Sequence, residues 1–140
     1  MKLFIDANVL VAVLNKEQPL YSYAARVLSL ADKPQFTIYT SSLCLGIAYY
    51  FAEKKSGREV ANKKIRLLCS KINIAAIDQQ AVLAAVDNPK VNDFEDGMQY
   101  YAAVQQKVDY IVTQNGVDFY FSDIPVKDCR AFMEDVLFRK

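Results

Sequence analysis

A three-residue apolar run, Leu3-Phe4-Ile5, stops on a carboxylate, Asp6, and apolar residues resume at once with Ala7. No other feature constrains the fold as much. The run reads as a short buried strand. Ala7–Leu14 has no Gly or Pro and reads as a helix that ends near Asn15. A strand passing directly into a helix opens a βαβ unit. A carboxylate at that junction lies outside the strand's carboxyl end, where open α/β sheets place their ligands.

The same alternation continues along the chain. Pro19 fits the first turn of a helix running to about Ala31. Phe36–Thr40 is β-rich and alternating, a second strand. Ser41 or Ser42 caps a helix through about Lys55, broken by Ser56-Gly57. A basic helix then runs to about Ser70. Ile72–Ile77 predicts a third strand, and Asp78 caps a helix to Val86. Asn88-Pro89 is a turn. Phe94–Lys107 is helical, and Tyr110–Thr113 is a fourth strand. Ser122 to Pro125 turns the chain, Val126 starts a short fifth strand, and Asp128 caps a last helix through Leu137. Strands alternating with helices predict an α/β fold. Three layers follow, with a central parallel sheet of four to five strands covered on both faces.

The 140 residues fit one domain, with 53% hydrophobic side chains and few Gly or Pro. Disorder and multi-domain organisation are therefore not expected. A net charge of +1 gives no global footprint for nucleic acid. Between Lys54 and Lys71, however, seven basic residues stand against one acid, Glu59. Lys54, Lys55, Arg58, Lys63 and Lys64 are candidate phosphate contacts from that patch, which otherwise reads as a solvated helix face. Cys44, Cys69 and Cys129 have no zinc or disulfide spacing, and all three read as buried thiols in a reducing cytoplasm. No signal peptide and no membrane span is expected.

The chemistry concentrates in four places: Asp6, the cluster Asn92-Asp93-Phe94-Glu95-Asp96, the run Thr113-Gln114-Asn115, and Asp118. In a parallel sheet these gather at one edge. Asp93 and Asp96 share the first turn of a helix. Crowded carboxylates in a chain without histidine suit a hard divalent cation, Mg²⁺ or Mn²⁺. Such an ion can activate water against a phosphodiester. Taken singly, Asp93 and Asp96 read as N-caps, and Asn115 and Asp118 as turn residues. Tyr49, Tyr50, Tyr100 and Tyr101 either stack bases or pack the core, and packing is the expectation.

Four segments in this order carry a resemblance. They are Phe-Ile-Asp-Ala-Asn-Val-Leu, Thr-Ser-Ser-Leu, Asp-Phe-Glu-Asp-Gly-Met-Gln-Tyr-Tyr-Ala-Ala, and Asp-Tyr-Ile-Val-Thr-Gln-Asn-Gly-Val-Asp-Phe. The sequence resembles the PIN domain family over nearly its whole length, including the Ser-Asp-Ile-Pro-Val tail. The resemblance implies a Mg²⁺- or Mn²⁺-dependent ribonuclease of the VapC toxin type. It implies RNA as substrate, an antitoxin protein as partner, and a homodimer. Asp6, Asp96 and Asp118 take the metal-ligand positions, Asp93 and Asn115 accessory positions, and Asn8 the small polar position after Asp6. One departure stands out. The glutamate that family members carry early in the helix after strand two aligns with Ile47, and Leu43–Ala52 contains no acid. Glu53 lies six residues on, about 9 Å further along a helix.

Two functions fit these residues: an active metal-dependent ribonuclease, or a catalytically degenerate PIN fold that binds RNA or protein. A phosphoryl-acceptor role for Asp6 fits poorly, because Asn8 stands where a second aspartate is needed.

Overall fold

The computed structural model describes residues 1–138. Five strands form one parallel sheet: β1 (Lys2–Ile5), β2 (Thr37–Ser41), β3 (Asn73–Ala75), β4 (Tyr110–Val112) and β5 (Val126–Lys127), in the order β3-β2-β1-β4-β5. Every neighbouring pair is parallel. β1 is therefore central, and its Leu3, Phe4 and Ile5 are fully buried. The chain winds outward from β1 to β2 and β3, then returns to β4 on the other side. The sheet order reverses between β1 and β4, and a crevice opens there at the strands' carboxyl ends.

The helices are α1 (Ala7–Leu14), α2 (Tyr21–Ser29), α3 (Ser42–Ser56), α4 (Arg58–Cys69), α5 (Gln79–Asp87), α6 (Phe94–Gln105) and α7 (Cys129–Phe132). The last of these continues as a π-helical turn over Met133–Leu137. α1 packs on α2 and α3, α3 on α4, and α2 on α7, whereas α5 and α6 pack together and α6 meets β2. Five of the seven helix starts are explained by a side-chain cap. Asp6, Ser41, Asp78, Asp93 and Asp128 accept from backbone N–H groups of α1, α3, α5, α6 and α7. Ser41, not Ser42, caps α3. Gly57, at φ 85°, ends α3 and lets α4 begin at once.

The carboxyl end of α1 is closed in a Schellman arrangement. Lys16 takes the left-handed position at φ 52°, Glu17 N–H bonds Ala12 O at 2.9 Å, and Lys16 N–H bonds Val13 O at 3.3 Å. Lys55 and Lys64 add their ammonium groups, donating to Asn15 O and Leu14 O.

Some boundaries differ from expectation. Pro19 does not open α2. It sits in a turn behind a cis Gln18–Pro19 bond, and the helix starts at Tyr21 and gives way after Ser29 to a 3₁₀ turn. The third strand is Asn73–Ala75 rather than Ile72–Ile77, because it is an edge strand paired only with β2. Cys44 and Cys129 are buried, but Cys69 is exposed, since it falls on the solvent side of the last turn of α4. No helix of the described residues is long and apolar enough to cross a membrane.

Candidate metal and nucleic-acid site

Asp6 leaves the end of β1 with both oxygens engaged. Oδ1 accepts from Ala7 N–H at 2.7 Å, and Oδ2 accepts from Thr113 Oγ1 at 2.7 Å. Thr113 follows β4 and is fully buried. Its hydroxyl also accepts from Asn8 Nδ2 at 3.2 Å and from Asn115 N–H at 3.1 Å. Asn8 Oδ1 in turn accepts from Gln114 N–H at 3.2 Å. One threonine hydroxyl thus ties the ends of the two central strands into a single polar knot.

Beside this knot lies a cleft of about 420 Å³. Asp6, Asn8, Glu17, Ile47, Phe51, Glu95, Asp96, Gln99, Asn115 and Asp118 are among the residues that line it. Asp96 sits on the first turn of α6, and Asp118 on a 3₁₀ turn, Gly116–Phe119, after β4. The Asp96 carboxyl is pushed up to about 7, first by burial and then by the charges of Asp93, Asp118, Asp6 and Glu95. Separate parts of the chain therefore press negative charge on one point.

Of the residues singled out in the sequence, Asp6, Asn8, Asp96, Asn115 and Asp118 line the cleft. Asp93 does not line it; its carboxylate accepts from Asp96 N–H at 3.2 Å as the cap of α6. None of Lys54, Lys55, Arg58, Lys63 and Lys64 lines the cleft. Lys55 and Lys64 are bonded to the end of α1, while Lys54, Arg58 and Lys63 are exposed on α3 and α4. Ile47 lies half-buried in the cleft wall, so the position without an acid faces the other carboxylates. Tyr100 is buried and edge-on to Tyr101 and Phe121, and both phenols accept hydrogen bonds, from Asp123 N–H and Asn88 Nδ2. These two pack rather than stack bases.

Sequence reasoning missed Glu17 and Gln99. Glu95 was readable within the acidic cluster around Asp96 but was given no role of its own. Glu17 and Gln99 carry no local signal, since the turn after α1 and the second turn of α6 bring them to the wall. Cys44 lies under the site, donating from Sγ to Gln99 Oε1 and, at 3.7 Å, to Asp6 Oδ1. Burial, and next the Asp6 charge, push its thiol up to about 11, so it is protonated and not a nucleophile.

The carboxylate and amide oxygens of the cleft suit a hard cation. Among the described residues no three His, Cys, Asp or Glu side chains form a ready-made metal cage. Asp6, Asp96 and Asp118 are the residues that would hold such a cation.

The model of the PIN domain family matches residues 2–116. This chain belongs to the PIN domain family. Its PIN fold is shared with solved structures at low sequence identity. VapBC2 from Rickettsia felis, bound to a promoter DNA fragment, superposes with TM-score 0.70 at 18% identity, covering 91% of this chain and 98% of that one. VapBC-1 from nontypeable Haemophilus influenzae gives 0.69 at 20% identity, covering 93% and 99%. VapC20 of Mycobacterium tuberculosis, a sarcin–ricin-loop-cleaving toxin, gives 0.61 at 16% identity, covering 78% and 86%. No curated protein matches by sequence.

Proposed function

We propose that this PIN domain is a Mg²⁺- or Mn²⁺-dependent ribonuclease and the toxin of a toxin–antitoxin pair, working as a homodimer against RNA. The observation that carries the reading is the convergence of Asp6, Asp96 and Asp118 on one cleft at the sheet's switch point. The structural likeness to VapC and VapBC proteins, one of them a sarcin–ricin-loop-cleaving toxin, supports the substrate class and the antitoxin partner.

Asp6, Asp96 and Asp118 would hold a divalent ion, which when bound would supply Lewis-acid activation of water and charge neutralisation at a phosphate. The chain's own contribution is positioning. Thr113 and Ala7 N–H fix the Asp6 carboxylate. Burial first, and then the neighbouring carboxylates, raise the Asp96 carboxyl to about 7, and a bound cation would relieve that crowding. Exposed Lys54, Arg58 and Lys63, on α3 and α4, would contact phosphates outside the cleft.

A degenerate, binding-only PIN fold is the second reading, favoured by Ile47 in the cleft wall. Mn²⁺ titration by calorimetry on wild type and on Asp6→Asn/Asp96→Asn separates the two. Micromolar binding lost in the double variant, followed by Mn²⁺-dependent RNA cleavage, supports the enzyme. No binding at millimolar Mn²⁺ leaves the binding module.

A further inference from the structure

The cleft has one unused hydrogen-bond donor that comes from a nearly buried side chain. Gln99 is 3% exposed, yet it lines the cleft beside Asp6 and Asp96. Its Oε1 accepts from Ser41 Oγ at 2.9 Å and from the Cys44 thiol. Ser41 Oγ already accepts Cys44 N–H at 3.0 Å, so its own proton must go to an acceptor. Both neighbours therefore present protons, which puts the amide oxygen inward and the amide nitrogen outward. Among the described residues Nε2 donates no hydrogen bond, while the one fully buried side-chain polar atom without a partner is Asn15 Oδ1. Gln99 Nε2 is therefore not fully enclosed, and Gln99 reaches the cleft wall.

A phosphate entering this cleft meets few donors. No lining residue is Lys or Arg. Asn8 gives one Nδ2 proton to Thr113 and accepts from Gln114 N–H at Oδ1, which leaves it a single free N–H. Asn115 is exposed, so its amide is not held in place by burial. Gln99 offers two N–H protons on a side chain pinned at its oxygen by two bonds, which is the preorganised kind of donor that anion stabilisation requires.

We propose that Gln99 Nε2 donates to a non-bridging phosphate oxygen of a nucleic-acid strand in the cleft, making Gln99 a substrate-binding residue of the PIN site. The inference rests on the nuclease reading above. Ser41 and Cys44 are then positioning residues that hold the amide's orientation.

The test is NMR of the ¹⁵N-labelled full chain, following the Gln99 side-chain amide. Mg²⁺ is added first, then a mixed-sequence single-stranded RNA octamer. Mg²⁺ alone should move signals around Asp6 and Asp96, and the RNA should then move the Gln99 Nε2 protons downfield. In Gln99→Glu, which keeps the inward acceptor and removes the donor, the octamer should bind at least about tenfold more weakly, while Mg²⁺ binds no more weakly. If the RNA perturbs the rest of the cleft and leaves the Gln99 protons in place, Gln99 is only a wall and the proposal is overturned. If neither Mg²⁺ nor RNA perturbs the cleft, the nuclease reading itself falls and takes this inference with it. The wild-type spectra decide the matter even where the variant does not fold.

Discussion

Thr113 Oγ1 donates a 2.7 Å hydrogen bond to Asp6 Oδ2 across 107 positions of chain. The same hydroxyl accepts from Asn8 Nδ2 and Asn115 N–H, so its removal leaves two donors without their acceptor. Thr113→Val, close in shape but lacking the hydroxyl, should lower unfolding free energy by about 1–3 kcal/mol in urea titrations. Thr113→Ser should recover most of the loss. An unchanged midpoint in Thr113→Val would show that the knot adds no stability.

Acid titration should show Asp96. Its carboxyl is raised from an ordinary 3.8 to about 7, by burial first. The native state keeps this proton where the unfolded chain has released it. Across that window the unfolded state binds fewer protons, so stability falls as pH rises. The chain contains no histidine, which removes the side chain that ordinarily titrates in the upper part of the same window. Metal-free protein should melt lower at about pH 8 than at about pH 5, and Asp96→Asn should flatten that slope. A wild-type Tm that climbs over this range would contradict the crowded-carboxylate picture.

Ile47→Glu adds a carboxylate to the wall the others already face. Mn²⁺ should bind about tenfold more tightly or better, and the metal-free protein should become less stable through added repulsion. Ile47→Gln, which brings the shape without the charge, should do neither. Calorimetry on the three proteins, with melting curves, reads both effects.

Lys64 and Lys55 donate to carbonyls at the end of α1, where the helix dipole favours positive charge. Lys64→Met keeps the aliphatic stem and should cost about 1–2 kcal/mol in urea unfolding. Exposed Lys54→Met should stay within about 0.5 kcal/mol. If Lys54, Arg58 and Lys63 contact phosphates, their removal should weaken RNA binding and reduce its salt dependence while leaving stability intact.

Much of the site was readable because it is local. A strand that stops on Asp6, an Asp93–Asp96 helix start and a Thr113–Asp118 turn each announce themselves within a few residues. Parallel topology then brings these strand ends to one edge. Burial of apolar runs and capping of helix ends act over short distances, so the sequence by itself determined the strands, most helices and the carboxylates that converge. The tertiary structure alone decided what fills the spaces between them. Helix packing turned Gln99 and Glu17 to the cleft wall, left Cys69 exposed, and drew Lys55 and Lys64 from the basic patch to the end of α1. Those outcomes depend on crossing angles and side-chain reach between elements far apart in the chain, and no local pattern encodes them.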